Sequence, residues 1–170
     1  RDPATAFLQM LGGSYGRVGA SAGAGFASGD NHVGLALGQD RLDGFSATNS
    51  SYPFGTFPDQ DGYRNRNAAL RAGVAIGSQQ LEASALVSDA DVEFDEGETA
   101  ANNRVYALQL SGPLGAGWSH GLVLGRSSED LDTPVYASRF GSARTSLDWT
   151  VSNALDERNS IDAGLNFARE

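Results

Sequence analysis

The chain of 170 residues is 40% hydrophobic and 19% charged, which suits one domain or one part of a larger one. A net charge of −9 without a basic stripe argues against a nucleic-acid partner, and the absence of cysteine excludes disulfides, zinc–thiolate sites and thiol nucleophiles. No apolar run reaches the length of a membrane helix and Arg1-Asp2-Pro3 does not begin a signal peptide, so the membrane option left is a β-barrel, whose alternating strands escape hydropathy averages.

In chain order, Phe7 to Leu11 reads as a short strand stopping at Gly12-Gly13, with a turn at Ser14-Tyr15-Gly16. From Arg17 to Ala27, Val18, Ala20, Ala22, Ala24 and Phe26 fall on one face and glycine or serine on the other, the period of two that marks a strand. Ser28-Gly29-Asp30-Asn31 has hairpin-turn chemistry, after which Val33, Leu35 and Leu37 restart the apolar face. Beyond the irregular stretch Ser46 to Asn65, Ala68, Leu70, Ala72, Val74 and Ile76 carry that face to a turn at Gly77-Ser78-Gln79. Leu81 to Val87, Tyr106 to Leu110, His120 to Leu124, Ala143 to Val151 and Ile161 to Phe167 repeat the pattern. The expected fold is all-β, an antiparallel up-and-down meander of about nine strands of roughly ten residues. Its short turns near Gly29, Gly77, Gly115 and Asp156 lie at one rim, with long acidic loops after Asp43, Asp95 and Asp132 at the other.

That asymmetry is the one seen in outer-membrane barrels. The second face points the same way, because Arg71, Glu82, Arg144 and Asp148 sit in mid-strand opposite lipid-type residues and need a wet interior. A soluble barrel or sandwich gives the same period with the apolar face turned inward. The strands' extension past the apolar band and the alternating turn lengths favour the transmembrane reading. An odd strand count implies a partial barrel, completed by further strands or by a partner that covers its edges.

Within the irregular stretch, Pro58-Asp59-Gln60-Asp61-Gly62-Tyr63 sets two carboxylates two residues apart before a glycine and an aromatic. Oxygen ligands so spaced can converge on a hard cation such as calcium, and the same residues also serve as an ordinary polar turn. Tyr52, Phe54, Phe57 and Tyr63 are candidates for substrate contact, or for an interfacial girdle. Asp89, Asp91, Glu93, Asp95, Glu96 and Glu98 form an acidic cluster, which by itself reads as a solvated loop. His32 and His120 have no evident nucleophile partner and no triad emerges, so no enzyme is expected.

The ordered set Gly13-Ser14-Tyr15-Gly16, Asp43-Gly44-Phe45, Pro58 to Asn65, Glu93-Phe94-Asp95, Gly112 to Ser119, Ser138-Arg139-Phe140 and Gly164 to Glu170 resembles part of the barrel of a TonB-dependent outer-membrane transporter, in particular the cobalamin transporters. The resemblance implies residues 1–170 as a segment of the barrel domain without the plug, in the bacterial outer membrane and in contact with its lipid. It also implies uptake of a small-molecule nutrient such as cobalamin, energised by an inner-membrane coupling protein acting through the plug. Calcium is the implied cofactor, carried by Asp59 and Asp61 in the Asp-x-Asp-Gly-aromatic motif and by Asp95 on the next loop. The entry-side ligand position falls on Ser46, with Asp43 three residues earlier, and the last acidic position falls near Asn102 or Asn103. The competing readings are a passive porin or autotransporter-type barrel and a soluble ligand-binding barrel.

Overall fold

The computed structural model describes residues 4–46, 60–95 and 97–170. They form one nine-stranded antiparallel sheet in strictly sequential order: β1 Ala4–Gly12, β2 Val18–Ser28, β3 Asn31–Leu42, β4 Tyr63–Ile76, β5 Gln79–Phe94, β6 Gly97–Gly115, β7 Trp118–Thr133, β8 Ser138–Ala154 and β9 Ser160–Arg169. A single 3-10 turn, Pro134–Tyr136, links β7 to β8. The expected meander is therefore the observed one. Hydrogen bonds do not close it, since β1 and β9 remain the two edges.

One expectation about the rims needs correction. The connections anticipated as long acidic loops after Asp95 and Asp132 are short: β6 restarts at Gly97, and between the end of β7 at Thr133 and the start of β8 at Ser138 lie only Pro134–Tyr136 and Ala137. The cause lies in the residues themselves. Asp89, Asp91 and Glu93 alternate with Ala90, Val92 and Phe94, so the ladder continues in register with β6 through Glu93↔Glu98. Only the β3–β4 connection is long.

Among the described residues no large hydrophobic side chain is buried, and Asn153 is the only buried polar one. A single layer gives its strands nothing to pack against, whereas a water-soluble domain covers its sheet with a second layer. On β2 and β3 the alternation is reversed from that of a soluble barrel. The apolar positions are the exposed ones and the glycine and small positions are half-buried. Leu35 is 49% exposed and Leu37 53%.

The other face carries the polar chemistry. Arg71 on β4 reaches Glu82 on β5 at 2.8 Å, Ser88 donates to Asn65 at 2.9 Å, and Arg17 pairs with Asp40 at 2.8 Å. Asn166 of β9 donates to Asp148 of β8. Of the four mid-strand charges expected to face a wet interior, Arg71, Glu82 and Asp148 thus have polar partners on this face, and Arg144 lies 3.9 Å from Glu170. Glycines accommodate the bulkier side chains there: the Phe7 ring lies over Gly23 and the His32 ring over Gly73.

The apolar face is not level with the hydrogen-bonding rows. It runs from Val18 to Phe26 on β2, Val33 to Leu37 on β3, Leu81 to Val87 on β5, Tyr106 to Leu110 on β6, Leu147 to Val151 on β8 and Ile161 to Phe167 on β9. Following the register from Phe26 through Val33, Ala72, Ala83, Leu108, Leu124 and Leu147 arrives at Phe167. The end of the band nearest the turns on β2 is thus level with its end nearest the loops on β9. The loop-side edge has moved from Val18 to the level of Phe26 over the seven steps from β2 to β9. At about 3.3 Å per residue and about 4.8 Å per strand, that is a slope of roughly 40°. The turn-side edge, from the level of Phe167 to Ile161, gives roughly 30° by the same spacings.

At the β8–β9 turn, Asp156 Oδ1 accepts hydrogen bonds from the backbone amides of Arg158 and Asn159, each at 2.8 Å, and from the Asn159 side chain at 2.9 Å. These donors, the Asn159 side chain foremost and the Arg158 amide next, hold the carboxyl below its ordinary range. A carboxyl whose folded value is depressed stabilises the turn fully above its unfolded pKa, and that contribution is lost as pH falls through the folded one. NMR is expected to show amide protection at Arg158 and Asn159 that holds down to about pH 4 and declines below it. Asp156→Ala should remove that protection at every pH.

Candidate functional site

The polar site of the loop rim is assembled at the mouth of the β3–β4 connection. Its foundation is the β1–β2 turn, where Gly13 donates to the Arg17 carbonyl at 3.0 Å and Tyr15 and Gly16 take φ of 59° and 69°. That conformation turns the Tyr15 carbonyl toward the end of β3, where it accepts from the amides of Asp43 at 3.1 Å and Gly44 at 3.2 Å. The Tyr15 and Phe45 rings meet at 5.1 Å between centroids. The outgoing arm of the connection is thereby fixed to its neighbouring hairpin.

Close backbone approach joins the two arms. A Cβ on Gly44 would lie 1.9 Å from the Asp61 carbonyl oxygen, and one on Gly62 would lie 2.4 Å from Glu93 Oε2. Through that space the Gly62 amide donates to Glu93 Oε2 at 3.2 Å, while the Glu93 amide donates to the Gly62 carbonyl at 2.8 Å. A cleft of about 450 Å³ opens here, lined by Arg41, Asp43, Tyr63, Arg64, Asp91, Glu93 and Glu98 among others. Its charges are opposed in a definite way. Arg64 stands opposite Asp91 across β4–β5, and Glu93 stands opposite Glu98 across β5–β6. Like charges directly opposed on one face destabilise a ladder unless a donor or a cation intervenes, and the Gly62 amide supplies one such donor.

No family model, no curated protein and no solved structure matches this chain. The site is therefore read from its own geometry.

Of the residues singled out from sequence, Asp43, Asp61 and Tyr63 come together at this mouth. Asp43 accepts from Arg41 Nε at 3.0 Å and lies 2.9 Å from Arg41 Nη2. Asp61 Oδ1 is shielded from solvent beside the Gly44 contact. Tyr63 opens β4 opposite Leu42 and Val92. Asp95 occupies the turn between β5 and β6, two residues past Glu93. Asp59, Tyr52, Phe54 and Phe57 lie outside the described residues. Among the described residues no group of three or more His, Asp or Glu side chains is gathered as a metal site.

Sequence reasoning passed over Arg41, Arg64, Glu93 and Glu98 as lining residues. The period of two in Asp89, Asp91 and Glu93 was the available signal, since it places all three on one strand face.

Proposed function

We propose that this chain is a stretch of wall in a bacterial outer-membrane β-barrel, and that its loop rim takes part in uptake of a scarce nutrient. The observation that carries the reading is the slanted apolar band on the exposed face. Strands of a transmembrane barrel tilt by about 35–45° to the membrane normal, so a band level with the membrane must cross the hydrogen-bonding rows at such an angle. The opposite face, with its Arg71–Glu82 and Asp148–Asn166 pairs, suits a watery lumen.

The finer reading, active uptake of cobalamin by a TonB-dependent transporter, rests on the resemblance of the turn and loop motifs. It is supported by the way the β3–β4 mouth, the β1–β2 turn and the end of β5 are joined into one rim. In that reading the plug would supply the link to the energy-coupling protein. Calcium would draw on Asp59, Asp61 and Asp95, while Asp43 is engaged by Arg41. Bound there, the ion would supply positive charge that neutralises the carboxylates of adjacent segments.

Phase partition between detergent and buffer tests the wall reading. The protein is expected in the detergent phase, and a monomer stable in plain buffer would refute a lipid-facing band. Cobalamin carried through gel filtration in detergent with millimolar calcium, and released by a chelator, is the result expected of the finer reading. Partition without cobalamin retention in either condition would leave the wall and remove the cobalamin assignment.

A further inference from the structure

All twelve basic residues of the chain are arginine. Seven of them, at positions 41, 64, 66, 104, 126, 139 and 169, fall on the apolar face, because each is directly opposite, or in phase with, a residue of the apolar band. Every one lies on the loop side of the band. On the turn side, that face carries no arginine at a strand position among the described residues.

The arginines also follow the slope of the band. On β4 the first residue of this face beyond Ala68 is Arg66, on β6 beyond Tyr106 it is Arg104, and on β7 beyond Leu124 it is Arg126. These three do not share a hydrogen-bonding row. Arg66 is level with Asn102, Arg104 with Ser128, and Arg126 with Thr145, so each stands two residues nearer the turns than the one before. In a tilted barrel they would share one height, at the edge of the hydrocarbon. All three are exposed, and none makes an ion pair among the described residues, in contrast to Arg17, Arg41 and Arg71. Tyr106, opposite Arg126, adds the kind of aromatic that settles at a membrane interface.

We propose that Arg66, Arg104 and Arg126 form a ledge that binds the phosphate groups of anionic lipids in the leaflet on the loop side of the membrane. The inference rests on the barrel-wall reading and adds the lipid chemistry of one leaflet to it. A guanidinium presents two parallel donors to a phosphate, and an unpaired row of them beside an apolar band matches a lipid that carries both acyl chains and a phosphate. The asymmetry of the arginines decides the leaflet. Asp130, two residues farther toward the loops than Arg104, bounds the ledge from above, and Asp89 stands directly opposite Arg66 in the β4–β5 register without forming an ion pair with it.

The test compares phosphatidic acid with phosphatidylcholine in mixed dodecylmaltoside micelles, counting retained lipid by native mass spectrometry. The protein is expected to enrich phosphatidic acid. The triple variant R66Q/R104Q/R126Q should lose most of that preference, roughly fivefold per arginine and about a hundredfold for the three at low salt, whereas R158Q at the opposite rim should keep it. Equal retention of the two lipids by the unmodified protein, or a preference that survives in the triple variant, would overturn the ledge. Displacement by an equal concentration of inorganic phosphate would overturn its assignment to lipid. Failure to enter micelles at all would strike the barrel-wall reading instead, so the two failures are distinguishable.

Discussion

Replacing Leu108 with arginine is expected to destabilise the protein in micelles or bilayers by about 2–4 kcal/mol, the cost of a lipid-facing arginine near the membrane midplane. Leu108 lies in the middle of the apolar band, between Tyr106 and Leu110 along β6 and opposite Ala83 and Leu124 across it. Its neighbour Ala107 points to the other face, opposite Ser84 and Gly125 and near Arg71 and Glu82. Ala107→Arg should therefore cost under about 1 kcal/mol, the ordinary range for a substitution at a wet surface. Urea unfolding of the two variants in the same detergent measures the difference directly. Similar small costs at both positions would mean that water reaches both faces, and the barrel wall would have to be given up. The pair of variants is informative because the substitutions are adjacent in sequence, share a strand and introduce the same side chain. Only the face differs.

The sheet was legible in the sequence because its information is local. Alternation at Val18 to Phe26 or Ile161 to Phe167 needs no knowledge of the rest of the chain, and glycine with a polar residue at Gly29-Asp30 or Gly77-Ser78 marks a hairpin unaided. The polar extension of β5 through Asp89 and Asp91 was legible from the same alternation, whereas residues 97–103, expected as acidic loop, are strand because they pair with that extension through Asp89↔Asn102 and Glu93↔Glu98. Two features could not have been read at all. The slope of the apolar band depends on register between strands, which sequence fixes only through the pairing of turns. The cleft depends on the bonds of Asp43 and Gly44 to the Tyr15 carbonyl, which join separate hairpins, and on the Glu93 side chain turning back to the Gly62 amide at the open end of the β4–β5 hairpin. Sequence could nominate Asp43 and Asp61 as neighbours of a loop, but not the close approach of Gly44 to the Asp61 carbonyl where their arms meet. Nor could it foresee that Arg41 would take up Asp43.

That contact makes Gly44 the position in the rim where a single methyl group should do most damage. Gly44 has φ of +78°, a region in which an L-residue costs about 1–2 kcal/mol, and a Cβ there would stand 1.9 Å from the Asp61 carbonyl oxygen. The obstacle is backbone rather than a flexible side-chain end, so one arm of the connection has to move. Gly44→Ala should lower stability by roughly 3 kcal/mol in all, in the range expected when a mutation forces both strain and displacement. Gly29→Ala separates the two contributions. Gly29 also has positive φ, at +57°, but nothing lies within 4 Å of its would-be Cβ, so only the conformational cost of about 1–2 kcal/mol applies. Urea unfolding gives the two values, and amide exchange at Asp43 and Gly44 reports whether their bonds to the Tyr15 carbonyl have opened. If the two alanine variants prove equally stable, the arms are not held by this approach. If Gly44→Ala opens the mouth while Leu108→Arg destabilises the wall, rim and wall are separable parts of one barrel. Nutrient retention should then fall in the glycine variant under conditions where the sheet remains folded.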